Sequence, residues 1–166
     1  MSATKFQKLI TNPIAFRLYL LKKLPLGDIA GLRVTALTDE KCVVTVKYGW
    51  LTQNPFRSMY FACLSMAAEM STGVMVMNGI HESNPPVSML IVKNTAIYHK
   101  KAVGKITFTC MDGVYIAEQI NKAKTTGESI QVDTTSIGKN EAGEVVAEFV
   151  FTWSVKAKTK KYETIK

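Results

Sequence analysis

Between Ser58 and Gly79 the sequence reads SMYFACLSMAAEMSTGVMVMNG, an apolar, methionine-rich run of mostly small side chains with one charge, Glu69. As a helix it would span about 30 Å at roughly 1.5 Å per residue, the thickness of a bilayer core. Glu69 sits near its middle, and Ser65, Ser71 and Thr72 dilute its apolarity. A charge at the centre of a bilayer is costly, so stable membrane insertion is not expected. A helix that is apolar on all sides must then be enclosed by protein. The rest of the chain has to supply a surface broad enough to wrap it.

The flanking sequence supplies strands. Leu32, Val34 and Ala36 alternate with Arg33 and Thr35, and after a turn at 38–41 Val44, Val46 and Tyr48 alternate with Val43, Thr45 and Lys47. These are two antiparallel strands. Beyond Pro85-Pro86, Val87 to Tyr98 is a long apolar run, residues 99–104 read as a hairpin turn, and Lys105 to Met111 alternates through Ile106, Phe108 and Cys110. Val114 to Thr126 puts Ile116, Ala117, Ile120 and Ala123 on one face of a short helix that Gly127 ends. Glu128 to Ile137 alternates again, and Val145, Ala147, Phe149, Phe151, Trp153 and Val155 form a period-2 run after a turn at 139–143. The expectation is an α+β domain, one long buried helix against an antiparallel sheet of about six strands.

The N-terminal segment is helical in pattern. Phe6, Leu9 and Ile10 fall at helical spacing, Asn12-Pro13 reads as an N-cap with proline in the first turn, and Ile14, Leu18 and Leu21 continue an apolar stripe expected to dock. Pro13 and Arg17 interrupt the apolar run, which argues against a secretory signal. The expected organisation is an amphipathic extension over 1–26, one domain over 27–157 and a basic tail over 158–166. The three cysteines are far apart and form no CxxC pair, so no metal site or disulfide framework is expected and a reducing, cytoplasmic setting is the simplest reading. The net charge of +8 comes mainly from lysine. Nucleic-acid readers mix arginine and aromatic residues into such surfaces, and the tail has no arginine, so no nucleic-acid partner is expected.

The segments QNPFRSMYFACLSMAAE, IYHKKAVGKITF and AGEVVAEFVFTWSV, in this order and spacing, resemble the hot-dog fold of the acyl-CoA thioesterase superfamily, near its phenylacetyl-CoA-type branch. The resemblance implies a central helix wrapped by the sheet, with the N-terminal helix as an addition. In such thioesterases an Asn or Gln ends the loop before the helix, a His-Gly-Gly run opens it, and an acid follows eight positions after the first glycine. Asn54 matches the amide and Glu69 the acid, whereas Tyr60-Phe61-Ala62 replaces His-Gly-Gly. The resemblance thus implies Glu69 as general base or nucleophile, Asn54 as the group that orients water or carbonyl, and the Phe61 N–H as oxyanion donor. Tyr60, Phe61 and Ala62 would border the substrate, and His99, Lys100 and Lys101 would hold coenzyme A phosphates.

Phe61 and Glu69 are eight residues apart, about 12 Å along one helix. Both reach one carbonyl only if two antiparallel copies of the helix lie side by side, so the reading requires a homodimer, which could pair further into a tetramer. Ala62, Ser65, Ala68 and Gly73 are small enough to let the helices approach. No cofactor is implied. The competing reading is a non-catalytic acyl-binding or interaction module that kept the fold and lost the site. A hot-dog dehydratase is disfavoured because no histidine occurs between Lys41 and Ile80.

Overall fold

The computed structural model describes residues 3–158. Three helices open the chain: α1 (Lys5–Thr11), α2 (Pro13–Lys23) and α3 (Pro25–Ile29). Then come strands β1 (Arg33–Leu37) and β2 (Cys42–Lys47), the long helix α4 (Phe61–Ile80), β3 (Val87–Tyr98), β4 (Lys105–Cys110), helix α5 (Gly113–Thr126), β5 (Ser129–Lys139) and β6 (Val145–Ala157). All pairings are antiparallel and the six strands run in the order β1-β2-β4-β5-β6-β3. This is the hot-dog architecture expected from the sequence. Of the tail expected at 158–166, only Lys158 lies within the described residues.

The strand pattern reads through to burial. On β6, Ala147, Phe149, Phe151, Trp153 and Val155 are buried, and on β5 Val132, Thr134 and Ser136 face the same side. Phe149 sits at the centre of an aromatic group, with its ring 5.6 Å from Tyr98, 5.8 Å from Phe108 and 5.9 Å from Phe151. Helix α4 crosses this inner face and α5 packs beside it. The segment from 99 to 104 is not a hairpin turn. β3 and β4 occupy different parts of the sheet, so this segment is a crossover between them.

Helix α4 is enclosed for most of its length, and from Met70 to Val76 every residue is buried. Its first half departs from expectation. Phe61 is exposed, and Ala62, Ser65, Met66 and Glu69 are only partly covered. Spacings of three and four place these last four on one helical face. Ala68 and Gly73 do not belong to that stripe. Ala68 is fully buried, and a Cβ on Gly73 would lie 3.1 Å from both Glu69 Oε1 and the Trp153 ring. Gly73 therefore makes room for Trp153 inside its own chain rather than for a second helix.

The N-terminal extension folds back on the domain. Thr4 and Gln7 form a capping box at α1, and Asn12 Oδ1 accepts from the N–H groups of Ile14 and Ala15 at the start of α2. Gln7 Nε2 donates to Asp39 at 2.8 Å, and the Phe6 ring lies 4.8 Å from that of His81 beyond the end of α4. On α2 the docked residues are Phe16 and Leu20. The expected stripe of Ile14, Leu18 and Leu21 points to solvent, at 75%, 64% and 52% exposure. On α3, Asp28 is buried, with Arg17 Nε at 3.3 Å and Arg33 Nη1 at 3.8 Å.

Gly113 opens α5 where the helix meets the β1–β2 turn. A Cβ there would lie 2.1 Å from the Asp39 carbonyl oxygen and 2.5 Å from the Met75 methyl. The turn backbone cannot yield as a side chain would. Gly113→Ala is expected to lower stability by about 1–3 kcal/mol, the usual range for overpacking. Denaturant unfolding checks this, and a neutral result would mean that the turn is free to move.

Candidate active site

The loop before α4 is built around Asn54. Its Nδ2 donates to the Ser58 hydroxyl and to the Met59 carbonyl, both at 3.1 Å, and its Oδ1 accepts from the N–H groups of Phe56 (2.9 Å) and Ser58 (3.3 Å). These bonds occupy the donors and lone pairs of the amide. They close a turn in which Arg57 takes φ 57°, which delays the helix to Phe61 rather than Ser58. Asn54 thus shapes the entry to α4, and the loop is anchored by Tyr60 N–H donating to the Thr52 carbonyl at 2.7 Å.

No side chain caps α4. The Cys63 N–H donates to the Tyr60 carbonyl at 2.9 Å, which leaves the N–H groups of Phe61 and Ala62 at the positive end of the helix dipole. The rings of Tyr60 and Phe61 lie 4.9 Å apart, and Phe61 lies 6.4 Å from Tyr98 at the end of β3. With Asn54, His99 and Lys101 they border a cleft of about 570 Å³. Two of the three residues expected to hold phosphates already have acidic neighbours. His99 Nε2 is 3.1 Å from Glu148, and Lys100 pairs with Glu144. The lysine ammonium holds the Glu144 carboxyl below its usual range, helped by Asn140. Lys101 Nζ lies 3.5 Å from the Phe56 carbonyl and is paired with no acid among the described residues.

Glu69 lies elsewhere. It is half-buried, and no hydrogen bond or ion pair reaches its carboxylate among the described residues. Burial raises its pKa from the usual 4.5, because desolvation disfavours the charged form. It borders a second cavity, of about 270 Å³, lined by α1, α2, α4, Met89 of β3 and Trp153. Trp153 is held by its indole N–H, which donates to the Thr72 hydroxyl at 3.2 Å. Within one chain, then, the amide, the helix start and the basic residues are brought together, and the acid is not among them. The second cavity was not legible in the sequence, because nothing local marks Phe16 and Leu20 as the inner face of α2.

Thiol chemistry does not fit this site. Cys63, in the first turn of α4, is buried, and burial pushes its thiol up. Cys42 and Cys110 stand opposite each other on β2 and β4, and burial raises both, Cys110 to about 12. Among the described residues no cluster of His, Cys, Asp or Glu could hold a metal ion. No helix there is long and apolar enough to cross a membrane.

A long helix wrapped by a six-stranded antiparallel sheet, with an uncapped helix start and a half-covered acid two turns on, defines a hot-dog protein. By its sequence over residues 14–155, the chain belongs to the family described as Domain of unknown function (DUF4442). It is similar in structure to PA5026 from Pseudomonas aeruginosa, described as a protein of unknown function and probable thioesterase, with 20% identity, a TM-score of 0.74 and coverage of 90% of this chain and 99% of that one. A protein of unknown function from Chlorobaculum tepidum matches at 16% identity and TM-score 0.74, covering 91% of this chain and 99% of its own. The thioesterase HI1161 from Haemophilus influenzae matches at 13% identity and TM-score 0.61, covering 88% and 92%. No curated protein sequence matches.

Proposed function

We propose that this protein is a thioesterase that hydrolyses acyl-CoA, or an acyl-carrier thioester, at sites shared between the subunits of a homodimer. The observation that carries the reading is the half-covered stripe of Ala62, Ser65, Met66 and Glu69 on an otherwise enclosed helix. A carboxylate without a partner is costly to hold in such a place, and a role in chemistry accounts for its presence there. Two α4 helices packed antiparallel along this stripe bring Glu69 of one chain to the free N–H groups of the other. The edge strand β3 supports such pairing. It is twelve residues long and leaves Leu90 at 66% and Ile97 at 59% exposure, a profile that favours pairing with another strand. Thioesterase descriptions among the structural relatives agree with this chemistry. The three free cysteines suit a reducing compartment such as the cytoplasm.

In the reaction, water attacks the thioester carbonyl carbon while Glu69 takes its proton. The negative charge that develops on the carbonyl oxygen is met by the N–H of Phe61 from the other subunit. Collapse breaks the C–S bond, and the departing thiolate takes the proton held by Glu69, leaving as free thiol beside the carboxylic acid and restoring the carboxylate. Asn54 serves as a positioning residue that sets where α4 begins. Lys101, with the pairs at His99 and Lys100 beside it, offers a cation to phosphate groups in the cleft of about 570 Å³.

Subunit complementation tests this. Glu69→Gln removes the base, and Phe61→Pro removes the N–H at a position where helices accept proline, after a Tyr60 already extended at ψ 132°. Each homodimer is expected to be inactive. Mixing them is expected to restore roughly a quarter of wild-type thiol release, since half of the dimers are mixed and each has one intact site. No recovery from a verified mixed dimer would sink the shared site. The second reading, an acyl-binding module without turnover, draws on the exposed Phe61 ring over the helix start, and is favoured if the wild-type dimer releases no thiol from any acyl-CoA.

A further inference from the structure

We infer that the N-terminal helices form an acyl pocket within each subunit, and that α2 sets how long a chain the protein accepts. This deepens the thioesterase reading by naming where the acyl chain goes. The cavity of about 270 Å³ lies between the extension and α4. Its wall is graded. Ile10, Phe16 and Leu20 are at most 2% exposed, whereas Leu24 is 43% exposed and Lys23 is also exposed. The pocket is thus closed and apolar on the side of α1 and opens near the end of α2. Glu69 and Trp153 both border it, so a chain lying inside holds its carbonyl end beside the acid. Apolar cavities of about 150 Å³ take up a benzene ring, so this one accommodates roughly ten carbons.

Two features argue for a ligand rather than a packing fault. The helix α2 turns Phe16 and Leu20 toward α4 yet leaves space between them, although Ile14, Leu18 and Leu21 were available in the same helix. Position 73 is glycine, where any Cβ would press on both Glu69 and Trp153 and narrow the pocket beside the acid. The occupant is a straight acyl chain of medium length, or an aryl-ended one of equal volume.

The test reads binding without turnover. Trp153 lines the pocket and Trp50 is 81% exposed, so a Trp50→Phe protein reports from Trp153 alone. Titration with 8-bromooctanoic acid is expected to quench that emission saturably. In competition, unbranched fatty acids are expected to bind about fourfold more tightly for each added methylene and to level off near roughly ten carbons, when the cavity is full. Leu24→Phe at the half-exposed mouth is expected to shorten the preferred chain, and Gly73→Ala to weaken every chain at least several-fold. Wild-type protein that quenches saturably but releases no thiol from any acyl-CoA overturns the thioesterase reading alone. A protein that hydrolyses acyl-CoA while Trp153 stays unquenched overturns the pocket alone. An affinity that does not depend on chain length, or on Leu24→Phe and Gly73→Ala, also overturns it.

Discussion

Replacing Glu69 with glutamine is expected to cut thioester hydrolysis by about 10²–10⁴-fold, the range that a positioned general base supplies, and at the same time to stabilise the protein at neutral pH. The two effects have one cause. Burial raises the Glu69 pKa above 4.5 in the folded chain. Between the ordinary value and the raised one, the folded state holds a proton that the unfolded chain has released. Stability therefore falls as pH rises through that window and stays at the lower level above it. Glutamine has no charge to desolvate and escapes that loss. Thermal melts of both proteins should coincide below the usual carboxylate range and separate above it, with Glu69→Gln the more stable. Turnover in the wild type should rise with pH through the raised pKa, since the base must be ionised. A variant that keeps its activity, or one that is less stable than wild type at pH 7, would remove Glu69 from the role of desolvated base.

Phe149→Ala is expected to cost about 3–5 kcal/mol, as for large-to-alanine changes at enclosed aromatic positions, and to lower the melting temperature by at least about 6 °C. Phe149 is 1% exposed and lies against Phe108, Phe151 and Tyr98. Tyr98 in turn meets Phe61, so the aromatic contacts run from the centre of the sheet to the start of α4. The variant should therefore also disturb the helix entry, visible as lower activity at temperatures where the fold persists. Denaturant unfolding measures the first effect. A loss under about 1 kcal/mol would show that neighbouring rings collapse into the space.

The elements that were legible in the sequence are those whose pattern is local. The period-2 run of β6 names its own buried face, and Asn12-Pro13 names the start of α2. The apolar stretch after residue 58 fits a helix enclosed by sheet because almost nothing in it tolerates water. What stayed hidden depends on pairing across the chain. Helix α2 carries apolar residues at 14, 15, 16, 18, 19, 20 and 21, so spacing alone allows more than one inner face, and the one chosen is set by α4. The turn signals at 99–104 are real, yet a turn does not say which strand follows alongside, and here β4 lies across the sheet from β3. Cys42 and Cys110 become neighbours only through the β2–β4 register. Asn54 and Glu69 fit the thioesterase pattern as letters, but one letter is used up in a local turn and the other opens on a different cavity.

The clasp at Asp28 gives the extension an uneven fastening. A carboxylate shut away from water on α3 grips Arg17 of α2 and Arg33 of β1, while the far end of the extension is held by the Gln7–Asp39 bond and the Phe6–His81 contact. The roof is thus pinned at both sides by unlike means, one ionic and one through ring packing and an amide. Between these pins α2 turns Ile14, Leu18 and Leu21 outward, so the extension keeps an apolar outer side while both of its ends are tied to the body.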